Sequence, residues 1–235
     1  MAKDIPLNER IIFALDVNSS REAEAWLERL GDQVRFYKVG LQLFLAGGFP
    51  IIDRILNRGH KVMVDLKLFD IPETVALAVR ELRSRDVTFI TVHGNDAILR
   101  AAVKERNGTK ILAVTVLTSF DESDMRAMGL TASIEELVYR RAKKALSIGC
   151  DGIISSGLEV ARLREGLGDR FLVVTPGIRP GSNDVIQEDD QKRIASAYQA
   201  IRNGADYVVV GRPIRDASDP MSVVKRIQDE MVSAL

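Results

Sequence analysis

The feature that most constrains this chain is an alternation running from one end to the other, in which short β-branched apolar runs are each followed by a longer stretch of helical periodicity. Eight such pairs can be counted, with predicted strands over residues 10–15, 34–39, 61–66, 87–92, 110–117, 152–154, 171–175 and 207–210. Several of these runs are almost wholly apolar, as strands buried on both faces must be. Strands alternating with helices build a parallel sheet through βαβ crossovers. Eight units in 235 residues predict an α/β fold, a single (β/α)8 TIM barrel spanning residues 1–235, for which about 250 residues is typical. An open doubly wound sheet would share much of the same pattern.

Helix boundaries are written into the same alternation. Ser19-Ser20-Arg21-Glu22 and Ser133-Ile134-Glu135-Glu136 have the form of a capping box, in which a serine oxygen and a glutamate three residues later satisfy the first backbone donors of a helix. Gly31, Gly59, Gly149 and Gly204 follow helical runs and precede strands, where a left-handed C-cap is usually required. Residues 179–191 form the one long polar loop within the pattern, rich in Gly, Pro, Asn and Asp. Such a loop suits a lid over a site or a plain surface connection.

Composition narrows the function classes. Lys plus Arg and Asp plus Glu both number 33, so no global field exists to hold a nucleic acid or an anionic membrane, and any anion must be bound locally. No apolar run approaches 18 residues, and the N-terminal run is interrupted by Asp16, so neither a membrane span nor a signal peptide is expected. Cys150 is the only cysteine, which precludes an intrachain disulfide and points to a reducing, cytoplasmic setting.

In a barrel of this kind, chemistry sits at the C-terminal ends of the strands. The first three predicted strands all end in charge, with Asp16 after the first, Lys38 on the second, and Asp65 and Lys67 on the third. Residues two apart in an extended segment share a face, so Asp65 and Lys67 are expected to point together. Inward charges need partners, and an alternating array of Lys38, Asp65, Lys67 and a further carboxylate, supplied by Asp70, would provide them. A second cluster follows strands seven and eight: Thr175-Pro176-Gly177-Ile178-Arg179-Pro180-Gly181 and Gly211-Arg212-Pro213. These are the phosphate positions of the fold; glycine lets backbone N–H groups approach an anion, and arginine offers a planar fork.

With these residues in place, the chain resembles the bacterial orotidine 5′-monophosphate decarboxylases over essentially its whole length. The ordered landmarks are Phe13-Ala14-Leu15-Asp16, Tyr37-Lys38-Val39-Gly40, the run from Asp65 to Thr74, Val116-Leu117-Thr118-Ser119, Thr175 to Pro180, Asp190-Gln191 and Val209 to Pro213. The resemblance implies decarboxylation of orotidine 5′-monophosphate to UMP and carbon dioxide, the last step of UMP synthesis, with no cofactor and no metal. It implies Lys67 as proton donor to C6, Asp65 beside the departing carboxylate, and Lys38 and Asp16 at the ribose hydroxyls. Thr118 would meet the pyrimidine, and Arg179, Gln191, Gly211 and Arg212 the phosphate. Asp70 would reach into a neighbouring subunit, making a homodimer the working unit, with Ile71 and Thr74 also among the substrate-binding residues. About three residues more than the family spacing lie between Arg179 and Asp190-Gln191, which leaves Gln187 as a second candidate for the phosphate.

Two other readings share parts of this pattern. A metal-dependent sugar-phosphate lyase of the same superfamily carries the Asp-x-Lys-x-x-Asp signature but needs an acidic ligand where Lys38 stands, and a protonated lysine cannot ligate magnesium. A non-catalytic phosphometabolite-binding barrel would have no use for the intact charged set. His60, at the opposite end of the barrel, is expected at the surface, and His93, ending strand four, in a structural role near the pocket. Trp26 and Cys150 are expected to pack in the core.

Overall fold

A computed structural model of the chain describes residues 3–181 and 192–235. Its strands are β1 (Ile11–Ala14), β2 (Phe36–Gly40), β3 (Lys61–Leu68), β4 (Phe89–Val92), β5 (Lys110–Val114), β6 (Gly152–Ile154), β7 (Leu172–Thr175) and β8 (Tyr207–Val210). All neighbours pair in parallel, and β8 closes on β1 to complete an eight-stranded barrel in sequence order, which decides for the closed barrel over the open sheet. Helix α1 (Leu7–Arg10) precedes β1, and α2 (Ser20–Leu30), α3 (Leu41–Asn57), α4 (Pro72–Arg80), α5 (Asp96–Glu105), α6 (Glu122–Ala127), α7 (Ile134–Ile148), α8 (Val160–Leu167), α9 (Ala197–Arg202), α10 (Arg212–Arg215) and α11 (Pro220–Ala234) connect or follow the strands. No helix among the described residues is long and apolar enough to cross a membrane.

Local chemistry explains where these helices begin and end. Ser19 accepts the Glu22 N–H and Ser133 accepts the Glu136 N–H, the serine half of each expected capping box. The reciprocal form occurs instead at Asp121 and Asp124, at the start of α6. Gly149 ends α7 in the left-handed region, with φ 104° and ψ 19°, where a Cβ would cost energy. Buried Ala23, Leu27 and Leu30 place one stripe of α2 against the barrel wall.

The side chains inside the barrel form layers. Phe36, Phe89 and Tyr207 meet with ring centroids 5.1 to 5.7 Å apart and fill the interior together with Ile12, Leu112 and Leu172. Above them lie Ala14, Met63, Val114, Ile154 and Val209, which become the apolar floor of the cavity described below. Strand alternation carries this inward register upward: Phe36 leads to Lys38, Met63 to Asp65, and Phe89 to Thr91. Outward residues such as Phe13, Tyr37, Val64 and Val173 belong to the separate core shared with the helices.

Several predicted boundaries shift for identifiable reasons. Arg10 ends α1 rather than opening β1; it is 5% exposed, and its guanidinium donates to the Asp206 and Lys3 carbonyls. β5 stops at Val114 instead of residue 117, because the Val116 and Leu117 carbonyls turn to accept from Arg193. β3 runs two residues beyond the predicted end, to Leu68. His60 is not a fully exposed surface residue: it is half-buried against the Tyr37 ring, 5.2 Å between centroids, with its pKa lowered by burial and then by Arg35. Trp26 packs on Phe13 at 5.2 Å, and Cys150 is buried, its thiol pushed up to about 12 by burial.

Candidate active site

At the C-terminal end of the strands a cavity of about 300 Å³ opens over the apolar floor, at the lower end of the usual range for small-molecule pockets. Its walls carry Asp16, Lys38, Asp65 and Lys67 on one side and Arg179, Gly211, Arg212 and Arg215 on the other, and Thr118 lines it as well. Five cationic side chains and two carboxylates therefore line it among the described residues, an excess of three positive charges in a chain whose totals cancel.

The charged side is a chain of contacts. Lys38 Nζ lies 3.0 Å from Asp16 Oδ1 and 3.6 Å from Asp65 Oδ2, and Lys67 Nζ lies 3.0 Å from both Asp65 oxygens. Asp65 is 8% exposed. Burial alone would raise its pKa, but Lys38 and Lys67 outweigh that, and its carboxyl is held below the usual carboxylate range. Burial would likewise lower Lys38, yet Asp65 and Asp16 hold its ammonium above the ordinary value. Gly40 makes room for this arrangement, since a Cβ there would stand 3.0 Å from Lys38 Nζ.

The Asp65 to Lys67 segment departs from a regular strand. β3 and β4 pair at Val64 and Ile90, and next at Leu68 and Val92, so three residues of β3 stand against Thr91 alone. Lys67 has φ +47°, the one positive value among the described non-glycine residues. The expectation that Asp65 and Lys67 converge is met, but through this irregularity rather than through simple strand alternation.

The far side is built by the described parts of the β7–α9 connection and by the junction of β8 with α10. Ile178 bridges to Ala195, with the Arg179 N–H donating to the Ala195 carbonyl and the Ala195 N–H to that of Gly177. The Lys192 and Arg193 amides donate to the Thr118 carbonyl, so residues 192–195 join the Thr118 segment to the Arg179 segment. Arg193, 9% exposed, anchors this strap by pairing with Glu159 and by donating to the Val116 and Leu117 carbonyls at 2.9 Å. Gly211 and Arg212 sit where β8 gives way to α10. Arg215 donates to the Asp16 carbonyl at 3.0 Å and so ties the two sides together.

Asp70 is placed differently. Within the chain it is exposed and accepts the Ile71 N–H at 2.6 Å; neither it, nor Ile71 (66% exposed), nor Thr74 on the first turn of α4 lines the cavity. The second carboxylate of the array within this chain is thus Asp16, not Asp70. Gln187 and Gln191, with the rest of 182–191, lie outside the described residues. His93 faces a neighbouring cavity beside Phe69 instead of this one, and its pKa is lowered by burial and then by Arg141. Residue-by-residue reading missed Arg215, Arg193 and Thr91. Of these only Thr91, a polar residue at an inward strand position, carried a signal in its register.

Comparison with known proteins agrees with the barrel. Residues 9–227 match the family model described as the orotidine 5′-phosphate decarboxylase / HUMPS family. The chain is 53% identical to an orotidine 5′-phosphate decarboxylase of Methylococcus capsulatus over 230 residues, covering 97% of this chain and 94% of the relative. It is 46% identical to one from Bradyrhizobium diazoefficiens, covering 99% and 98%. A crystal structure of orotidine 5′-phosphate decarboxylase from Lactobacillus acidophilus superposes with a TM-score of 0.82 at 36% identity, covering 95% of this chain and 99% of that one. A chain matched over this span, at these identities and with this barrel, belongs to the orotidine 5′-phosphate decarboxylase / HUMPS family.

Proposed function

We propose that this cavity decarboxylates orotidine 5′-monophosphate to UMP and carbon dioxide, the last step of UMP synthesis, as a carboxy-lyase of the cytoplasm that uses no cofactor. The observation that carries the reading is the excess of three positive charges around the cavity. The substrate brings a phosphate of about two negative charges near pH 7 and a carboxylate. The cations are also divided as that ligand requires, with arginines on the β7 and β8 side and lysines on the β2 and β3 side.

Loss of carbon dioxide from C6 leaves an electron pair in the plane of the ring, where the π-system cannot delocalise it. A fixed cation is the natural stabiliser, and preorganised charge in a site sheltered from water is the strongest lever available. Lys67, held by both oxygens of Asp65, supplies that charge and then delivers its proton to C6. Asp65 beside the substrate carboxylate adds repulsion. At about 4 Å and an effective dielectric near 20 this amounts to about 4 kcal/mol, or roughly three powers of ten in rate if wholly relieved at the transition state. The neighbouring lysines reduce it, so holding Lys67 is the larger part of Asp65's role. Phosphate contacts from Arg179, Gln191, Gly211 and Arg212 turn remote binding energy into alignment of the ring, with Thr118 at the pyrimidine and Asp16 and Lys38 at the ribose.

The working unit in this proposal is a homodimer in which Asp70, with Ile71 and Thr74, completes the partner's site. Their exposure beside Phe69, 68% exposed, supports it: an apolar rim carrying an outward carboxylate suits an interface between copies. Following the ultraviolet absorbance of orotidine 5′-monophosphate with purified enzyme, with and without a chelator, tests the activity. Turnover insensitive to the chelator is expected; no turnover would overturn the reading, and chelator sensitivity would favour a metal-dependent lyase. Lys67→Ala should abolish turnover in a folded protein. Mixing it with Asp70→Asn should restore activity through hybrid dimers, and failure to do so would remove Asp70 from the partner's site.

A further inference from the structure

We propose that Thr91 is a positioning residue for the decarboxylation, holding Lys67 at both its backbone and its ammonium through one hydroxyl. Thr91 follows Phe89 in the inward register of β4 and is fully buried. It is the single β4 residue opposite the irregular stretch of β3. Its Oγ1 accepts the Lys67 backbone N–H at 2.9 Å and donates to Asp65 Oδ1 at 2.8 Å. Asp65 in turn accepts from Lys67 Nζ at 3.0 Å. The contacts close a ring that leaves Lys67 at its amide, passes through Thr91 and Asp65, and returns to Lys67 at its ammonium.

Each link in the ring has a consequence. A side-chain-bearing residue at φ +47° is unfavourable unless its surroundings hold it there. The interrupted ladder leaves the Lys67 amide without a strand partner at that point, and the Thr91 oxygen supplies one. The hydroxyl has one proton, which it donates in the hydrogen bond to Asp65, so the Thr91 lone pair is turned toward the Lys67 N–H. Thr91 therefore sets the backbone from which the Lys67 side chain departs and also restrains the carboxylate on which its ammonium rests. Misplacing a reacting group by about 1 Å can cost about 100-fold in rate, while contacts to the distant phosphate are untouched by such a shift.

This inference rests on the decarboxylase reading, and the test separates the two. Thr91→Val keeps the shape and removes both hydrogen bonds. It is expected to lower kcat by roughly 10- to 100-fold while KM and the affinity for UMP change by less than about threefold. Thr91→Ser, which keeps the hydroxyl, should return kcat to near the wild-type value. Should Thr91→Val fail to fold, Thr91→Cys, whose thiol is a weak donor and acceptor, replaces it in the comparison with Thr91→Ser. Folded Thr91→Val or Thr91→Cys with wild-type kcat would overturn the inference, as would Thr91→Ser being as slow as either, since the methyl packing and not the hydroxyl would then be what matters. Absence of turnover in the wild-type enzyme would instead sink the decarboxylase reading.

Discussion

Replacing Lys38 by methionine tests whether the charged array is a coupled unit. Asp65, whose side chain is 10% exposed, rests on two ammonium groups, Lys67 at 3.0 Å and Lys38 at 3.6 Å. At an effective dielectric near 20, the 3.6 Å pair is worth about 4–5 kcal/mol. The variant no longer has to desolvate the Lys38 ammonium, but it leaves Asp65 short of a counter-charge, and breaking a buried pair from one side costs about 3–5 kcal/mol. Asp16 and Lys67 have side chains 44% and 37% exposed, so water can serve them and the cost falls on Asp65. With an unfolding entropy of about 2.1 cal/mol/K per residue over 235 residues, Tm should fall by about 6–10 °C.

The pH dependence carries its own sign. Asp65 is held below the ordinary carboxylate value, so its contribution is present above that value and is lost as pH falls through its lowered one. Lys38 is held above the ordinary ammonium value, so its contribution is present below that value and is lost as pH rises through its raised one. The deficit of Lys38→Met should therefore be flat near neutrality and narrow in acid, where its Asp65 takes up a proton earlier than in the wild type. Thermal scans from neutral to acid pH read this directly. Lys38→Met/Asp65→Asn should recover most of the loss because no buried carboxylate remains. A Tm change under about 2 °C, or a double variant as destabilised as the two single variants summed, would refute the coupling.

Other sites give independent expectations. Arg212→Ala should raise KM for orotidine 5′-monophosphate by about 10- to 100-fold, the loss of a charge-assisted phosphate contact of about 1.5–3 kcal/mol; an unchanged KM would remove Arg212 from the phosphate site. Glu159→Gln strips the counter-charge from buried Arg193 and should cost about 3–5 kcal/mol in urea denaturation, while raising KM because Arg193 also holds the Val116 and Leu117 carbonyls. Asp206→Asn at the opposite end of the barrel, where Asp206 accepts from Lys3, Arg164 and the Val173 N–H at 2.8–2.9 Å, should cost about 3–5 kcal/mol but leave kcat unchanged in the folded enzyme.

The barrel was legible because its strands are buried on both faces and so must be apolar runs, and because the charges at their ends continue the inward register. Lys38 stands two residues above Phe36, and Asp65 two above Met63. What stayed hidden depends on contacts between distant segments. No local pattern marks Arg193 as the anchor of residues 116–118, since its partners lie 34 to 77 positions away. The local positive field was concealed by equal totals of opposite charge, which constrain the sum and not the distribution. The left-handed backbone of Lys67 has no signature either, because the residue that holds it is Thr91 on the next strand.

The Asp65-Leu66-Lys67-Leu68-Phe69-Asp70 segment shows how far spacing alone can carry a site. Strand period two brings Asp65 and Lys67 to one face only if the backbone stays regular, and it does not. The pair converges because the irregular stretch is held by Thr91 and Asp65. Beyond Leu68 the strand ends, and Asp70 turns its carboxylate to the Ile71 N–H at the exposed rim. Among the described residues, Lys67 pairs with Asp65 alone, whereas Asp65 meets two ammonium groups. Among the described residues charge alternation therefore runs Asp16, Lys38, Asp65, Lys67 and ends on a cation in the cavity wall. An array ending on a lysine suits a site whose last anion arrives from outside the chain. The dimer proposal and the proton-donor proposal thus both turn on the Lys67 ammonium at the end of the array.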